Sequence, residues 1–391
     1  MSRLVLKPKE DYRIRTGHLW VFSNEIARVE EAPGSGEIVD VTDSRGGFLG
    51  CAYYNRHTLI AARLLTSHHE EIDTAFIEQR LRRALRYREE MLDSLRSFRT
   101  VYSESDFLPG LIVDKYENIL VVQLLTLGME RLRSRIIEAL HRVFQPAGIV
   151  LRCDSPFREL EGLPVEATSV VAGTVPDMVV IEEAGARFIV DTMQGQKTGF
   201  FFDQRDARAA VRRLARNRRV LDCFSFTGGF SINCAFGGAT EVLAVDRSSP
   251  ALDILNDNAR LNGVEKIVST RQGNCLDILR DLNERKERFD LVILDPPAFI
   301  KSKSRLKTGM AGYRDINRLA ARLLAPEGIL ATFSCSQNLN IDQFSKILFQ
   351  AARSSGRRFR IISSLTQAVD HPVLQAMPET QYLKGLILQA L

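Results

Sequence analysis

The chain has little that would staple, anchor or metallate it. Its six cysteines, Cys51, Cys153, Cys223, Cys234, Cys275 and Cys335, are scattered through 391 residues with no C-x-x-C pair. That argues against both a disulfide framework and a zinc site. The six histidines show no metal-ligand spacing, so no metal is expected. No apolar run approaches the roughly 18 residues that a membrane span needs. Met1 to Trp20 interleave charged residues with short apolar pairs, which leaves no core for a secretory signal. The expectation is a cytoplasmic protein with reduced thiols and no membrane attachment. Internal repeats and low-complexity segments are missing too. Neither G-x-G-x-x-G nor G-x-x-x-x-G-K-[ST] occurs, which counts against a dinucleotide and against a nucleoside-triphosphate cradle.

What is present is the composition of a folded globular chain, 45% hydrophobic and 26% charged, long enough for two or three domains. The net charge of +5 hints only weakly at an anionic partner. Its clustering says more. Arg80, Arg82, Arg83, Arg86 and Arg88 form one group, the arginines from Arg205 to Arg219 a second, and Lys301, Lys303, Arg305 and Lys307 a third. Each cluster is either a solvated face or a phosphate-binding one.

The texture of the chain predicts an α/β protein in three parts. Residues 1–70 carry short β-type runs between glycine turns and read as a small β-rich domain. Residues 71–187 mix strands and helices in a central α+β domain. They begin with a helix over Glu71–Leu95, whose apolar positions at helical spacing put the first arginine cluster on its outer side. Residues 188–391 alternate buried-type strands with helices, the pattern of a Rossmann-like parallel sheet covered on both faces. Strands are expected at Val220–Phe224, Glu241–Asp246, Ile267–Gln272, Leu291–Leu294 and Ile329–Phe333.

Chemistry-bearing residues gather at the carboxyl ends of those strands, where parallel sheets bind ligands. The first strand runs into Ser225-Phe226-Thr227-Gly228-Gly229 and then a helix. Glycines there let a ligand approach the backbone closely, or simply make a turn. Asp246 ends the next strand, where a carboxylate can accept both hydroxyls of a ribose. Asn274, after the third, suits either an adenine edge or a helix N-cap. Asp295-Pro296-Pro297 ends the fourth. The prolines stop the strand and hold Asp295 rigidly, where it could hydrogen-bond the amino group and ring nitrogen of a base, or merely cap a chain reversal. Cys335 ends the fifth. A thiolate there suits reversible addition to C6 of a pyrimidine, although buried cysteines are more often inert.

Taken together, these motifs resemble class I S-adenosylmethionine-dependent methyltransferases, and more narrowly the PUA-domain-containing large-subunit ribosomal RNA cytosine-5 methyltransferases. The resemblance rests on Gly195 to Arg205, Phe224 to Phe230, Asp295 to Phe299, Gly312 to Asn317 and Phe333 to Ser336, with Asp370-His371-Pro372 and Tyr382-Leu383-Lys384-Gly385 near the end. Gly17 to Phe22 and the β-runs after them look like that family's RNA-binding PUA domain. The resemblance implies S-adenosylmethionine held by Gln204, by Phe224, Ser225, Phe226, Thr227, Gly228 and Gly229, and by Asp246, Asn274 and Asp295. It implies Cys335 as nucleophile, with Asp295 holding the target cytosine. Pro296, Pro297, Phe299, Lys301, Lys303, Tyr313 and Arg83 would meet the RNA. The chain departs from the family at Asn274, where an acidic residue is usual. Ala298 and Phe299 follow the prolines, where other RNA cytosine-5 methyltransferases carry a second cysteine. The expected activity is 5-methylcytidine formation in large-subunit ribosomal RNA. The rival readings are methylation of an exocyclic amino group on nucleic acid, with Cys335 a bystander, and a non-catalytic RNA-binding or assembly factor. Oligomeric state, a homodimer included, stays open.

Overall fold

The computed structural model describes residues 2–93, 95–300 and 302–391, without the side chain of Lys303. The expectations placed on Lys301 and on the Lys303 side chain therefore fall outside the described residues. The chain divides into two compact units. The first runs to Ile181 and takes in Val190–Phe202 and Val369–Thr380; the second comprises Glu182–Ile189, Asp203–Ala368 and Gln381–Leu391. No helix among the described residues is long and apolar enough to cross a membrane.

Two sheets build the first unit. Strands β1 (Arg3–Leu6), β2 (Trp20–Phe22), β3 (Ile26–Glu30), β4 (Ile38–Thr42), β5 (Phe48–Tyr54) and β6 (Ile60–Thr66) form one sheet in the order β2-β6-β5-β4-β1-β3. Its β-branched and aliphatic residues close a core around Leu4, Leu6, Val21, Val39, Val41 and Ala62, to which Met377 adds its side chain. Strands β7 (Phe98–Tyr102), β8 (Leu111–Tyr116), β9 (Ile119–Leu124), β10 (Gly148–Leu151) and β11 (Ser169–Gly173) form the other. The helices Thr74–Met91 and Arg133–Phe144 bury Phe76, Ile77, Leu81, Ile136 and Leu140 against Val113 and Val122 of that sheet. Asp73 starts the first of these helices by accepting the Phe76 N–H at 2.8 Å.

The same helix corrects one expectation. Arg82, Arg83 and Arg86 are exposed as anticipated, but Arg88 is fully buried. Its guanidinium makes two hydrogen bonds to Asp106, at 2.5 and 2.8 Å, and donates to the carbonyls of Ala84, Arg99 and Asp370. Asp370 also accepts the Arg99 N–H and contacts His371 Nδ1 at 2.9 Å. A planar fork that fills its donor sites on a carboxylate and carbonyls can leave water at tolerable cost. Helical periodicity alone cannot reveal such a partner.

After a two-stranded ribbon of β12 (Val179–Glu183) and β13 (Ala186–Val190), the second unit holds one seven-stranded sheet. Its strands are β14 (Arg219–Cys223), β15 (Glu241–Asp246), β16 (Val268–Gln272), β17 (Phe289–Leu294), β18 (Leu324–Ser334), β19 (Phe359–Leu365) and β20 (Lys384–Ala390), in the order β16-β15-β14-β17-β18-β20-β19. The first five in that order are parallel, and β20 lies antiparallel between β18 and β19. Because β15 pairs on one side of β14 and β17 on the other, the strand order reverses at β14. The crevice at such a reversal is where a parallel sheet takes a ligand. Arg205 and Arg208, counted among surface cations in the sequence, are instead buried, and both pair with Glu183.

Candidate active site

The turn after β14 is strained. Phe224 (φ 65°), Phe226 (φ 49°) and Gly228 (φ 89°) all adopt left-handed backbone, and only the glycine does so without penalty. The two phenylalanines cost on the order of 1 kcal/mol or more each, so the surroundings must impose the conformation. They do so through hydrogen bonds: Ser225 N–H to the Val245 carbonyl at 3.0 Å, Phe226 N–H to Asp246 Oδ2 at 2.9 Å, and the Asn258 amide to the Thr227 carbonyl at 2.9 Å. Asp246 is thereby fixed at the end of β15, and its other oxygen accepts the Ser248 N–H. Each carboxylate oxygen has a second lone pair, which leaves capacity for ribose hydroxyls.

Beside this turn, Gln204 donates through Nε2 to Asp295 Oδ1 at 2.8 Å and fixes that carboxylate just past β17. Among the described residues, three buried oxygens here lack a hydrogen-bond partner: Ser225 Oγ, Gln204 Oε1 and Asp222 Oδ1. Unsatisfied buried oxygens are costly, and Ser225 and Gln204 belong to segments expected to hold the cofactor. Asp222, fully buried on β14, accepts a hydrogen bond from Ser231 at 2.6 Å. Burial chiefly, and then the neighbouring charges of Asp295 and Asp246, push its pKa up to about 7. A strained loop, orphaned oxygens and clustered carboxylates fit a polar ligand carrying positive charge, which is the character of S-adenosylmethionine.

That fit has a pH signature. A cation favours ionised Asp222, so its affinity rises as pH increases through about 7. Titration calorimetry should show S-adenosylmethionine binding strengthening roughly three- to tenfold between about pH 6 and 8. S-adenosylhomocysteine, which lacks the sulfonium charge, should change much less. Stability runs the other way for this group: its folded-state pKa lies above the ordinary carboxylate value, so its contribution falls as pH rises from about 4 to 7.

Across the sheet edge, Cys335 follows the last residue of β18. It is half-exposed while the other five cysteines are buried, and its sulfur lies 3.9 Å from the Pro296 carbonyl oxygen. The flanking serines are anchored. Ser334 Oγ donates to Tyr313 OH at 2.9 Å, Tyr313 OH contacts Ser336 Oγ at 2.9 Å, and Ser336 Oγ accepts the Ile300 N–H at 3.2 Å. The Lys384 ammonium donates to the Ser336 carbonyl at 2.6 Å. The helix Leu306–Leu323 comes close to residues 296–300 because it presents glycine there: a Cβ on Gly309 would lie 2.9 Å from the Phe299 carbonyl, and one on Gly312 would lie 3.2 Å from the Phe299 ring.

Most of the expected residues of this unit therefore lie along one edge, with corrections. Tyr313, expected to meet RNA, is fully buried with its ring 4.7 Å from that of Phe299, so it can act only by holding the serines around Cys335. Pro296 is buried as well and offers its carbonyl, whereas Pro297 is exposed and Phe299 half-buried. Asn274 caps the helix Cys275–Glu284 by accepting the Leu276 N–H at 2.9 Å. Its oxygen spends one lone pair on that cap, so the side-chain NH2 is the group left fully available toward an adenine edge. Sequence reasoning missed Asp222, Ser334, Ser336 and Lys384 as parts of the site. Lys384 did carry a signal: it is a lone charge opening the apolar run Gly385-Leu386-Ile387-Leu388.

In the first unit, Arg83 lies on a cleft of about 580 Å³ lined also by Arg80, Arg82, Arg86, His68, Gln79 and Glu70. The guanidinium groups of Arg80 and Arg83 both sit 5.6 Å from the centre of the Phe107 ring.

Comparison with known proteins bears on both units. Residues 4–67 match the PUA-like domain family, and residues 134–377 match the S-adenosylmethionine-dependent methyltransferase family. The chain is 41% identical over 388 residues to a protein of Klebsiella pneumoniae strain 342 named ribosomal RNA large subunit methyltransferase I, covering 98% of this chain and 97% of the relative. Its counterpart of the same name from Escherichia coli K12 is also 41% identical over 388 residues, with 98% of each chain covered. Among solved structures, a candidate SAM-dependent methyltransferase from Streptococcus mutans superposes over 100% of both chains with a TM-score of 0.86 at 18% identity. A second, a candidate methyltransferase complexed with SAH, gives 0.87 over 100% of both chains, also at 18% identity. At that identity the likeness speaks to the fold alone.

Proposed function

Because the chain belongs to the S-adenosylmethionine-dependent methyltransferases and opens with a PUA-like domain, we propose that it methylates C5 of a cytidine in large-subunit ribosomal RNA. One observation carries the choice of C5. The half-exposed thiol of Cys335 sits at the sheet edge against the Asp295-Pro296-Pro297 segment, its sulfur 3.9 Å from the Pro296 carbonyl. The names of the 41%-identical relatives support ribosomal RNA as substrate.

S-adenosylmethionine, when bound, supplies an electrophilic methyl group. Gln204, the Phe224–Gly229 turn and Asp246 are the residues that would hold it, with Asn274 donating toward the adenine. Asp295, oriented by Gln204, would hold the amino group of a cytosine turned out of its stack, since C5 and C6 are inaccessible inside a helix. Cys335 attacks C6, and electron density moves to C5, which then becomes nucleophilic. Once C5 carries the methyl group, loss of its proton to a base re-forms the C5=C6 bond and expels the sulfur as thiolate. The exposed arginines around Arg83 would grip phosphates and position the RNA without reading its sequence. With Arg83→Glu and Arg86→Glu combined, the slope of log affinity against log salt should flatten by about 1 to 2, measured by filter binding.

The activity itself is tested by incubating the protein with unmodified large-subunit RNA and S-adenosylmethionine, then digesting to nucleosides for mass analysis. The expected product is 5-methylcytidine. A purine methylated on its amino group would replace this reading with amino-group transfer.

A further inference from the structure

Lys384 opens β20 directly opposite Ser334 in the antiparallel pairing with β18, and only 7% of its surface is exposed. Its Nζ donates to the Ser336 carbonyl, one residue beyond the nucleophile assigned above. Among the described residues no carboxylate pairs with it; the ionisable neighbour that bears on it is the sulfur of Cys335. An ammonium taken out of water without a counter-ion is an expensive way to satisfy one backbone carbonyl, which a neutral amide could bond as well. Burial lowers the lysine, a Cys335 thiolate offsets part of that, and the net result is a value of about 8. That brings the lysine into the range where an ordinary thiol gives up its proton, about 8.5, the condition under which a proton moves between an amine and a thiol at little cost.

We propose that Lys384 keeps Cys335 anionic: the pair shares one proton, which resides on Nζ and leaves the sulfur a thiolate. The S–H bond breaks as its proton passes to the amine. The sulfur lone pair then forms the S–C6 bond while the C5=C6 π pair moves onto C5. The ammonium remains beside the sulfur as a positioning and activating group and does not touch the substrate. Among the described residues, Tyr313 and Asp295 also border the pair. Tyr313, from the helix 306–323, is pushed up mainly by burial and stays neutral. Asp295, one residue before the carbonyl that the sulfur contacts, would oppose the thiolate by its negative charge, which makes a nearby cation the more necessary.

This proposal rests on the reading of Cys335 as nucleophile, and its test is separate from turnover. Alkylation of Cys335 by iodoacetamide is followed against pH in the full chain without RNA, by peptide mass; the other five cysteines are buried, which favours a selective reading. Lys384→Gln keeps an N–H donor for the Ser336 carbonyl and removes the charge. Wild type should alkylate with a midpoint below the ordinary thiol value of about 8.5. Lys384→Gln should shift that midpoint up by about one pH unit or more and slow alkylation near pH 7 about tenfold. A wild-type midpoint at or above the ordinary value overturns the proposal, whether or not the variant folds. So does a folded Lys384→Gln protein with an unshifted profile. Either result leaves the nucleophile in place, whereas 5-methylcytidine formed undiminished by Cys335→Ala would remove the nucleophile without altering the alkylation profile.

Discussion

Cys335→Ala is expected to lower 5-methylcytidine formation by on the order of 10⁴-fold or more, the scale on which removal of an attacking nucleophile acts. The affinity for S-adenosylmethionine should be unchanged. The two effects separate because the proposed cofactor contacts come from the Phe224–Gly229 turn, Asp246 and Gln204, and the thiol is not among them. The surrounding scaffold should survive as well. Ser334, Ser336 and Tyr313 are tied together by hydroxyl groups that the substitution leaves intact, and the contact of the lost sulfur to the Pro296 carbonyl is a long one. Initial rates on unmodified RNA, with cofactor binding measured by calorimetry on the same preparation, check both halves. A variant that keeps wild-type rates would move the chemistry to an amino group held by Asp295, with Cys335 a bystander.

Arg88→Met should destabilise the first unit by roughly 3 to 5 kcal/mol, because it strands the Asp106 carboxylate in the interior. For a unit of this size that corresponds to a fall in melting temperature of about 6 to 20 °C. The carbonyls of Ala84, Arg99 and Asp370 lose their donor in the same step. Adding Asp106→Asn should recover part of the loss. The amide carries no charge, and its oxygen can still accept the Tyr102 N–H that Asp106 holds at 2.6 Å. Thermal unfolding of the three proteins measures this directly. A single variant melting within about 2 °C of wild type would mean that water or a neighbouring side chain replaces the pair.

How much of this was legible beforehand depended on whether the signal was local. Of the five parallel strands from β14 to β18, β15, β17 and β18 announce themselves by an apolar run closed by a polar residue or a turn, and that residue is the one presented at the sheet edge: Asp246, Asp295 and Cys335 follow this rule, whereas β16 (Val268-Ser269-Thr270-Arg271-Gln272) has a single apolar residue. The short strand β2, at Trp20–Phe22, and the edge strand β19, much of whose surface is exposed, carry too little pattern to stand out. Partnership across the chain was not legible at all. Arg88 and Asp106 belong to different elements, Arg208 finds Glu183, and Tyr313 reaches serines 21 and 23 residues away. A sequence shows that these residues are polar, whereas only the fold shows that they are satisfied. Lys384 lies between the two cases. Its isolation in an apolar strand was visible, but its approach to Cys335 depends on β20 running antiparallel to β18.

The central claim is that a bond forms between the Cys335 sulfur and C6 of a cytidine. RNA carrying 5-fluorocytidine tests it most directly, because fluorine at C5 cannot leave as a proton does and the adduct cannot collapse. With S-adenosylmethionine present, the account predicts a denaturant-resistant complex of protein and RNA, carrying one added methyl group, with the RNA attached to the peptide that contains Cys335. No covalent complex, on RNA whose unfluorinated form is methylated normally, or attachment through another residue, would contradict it.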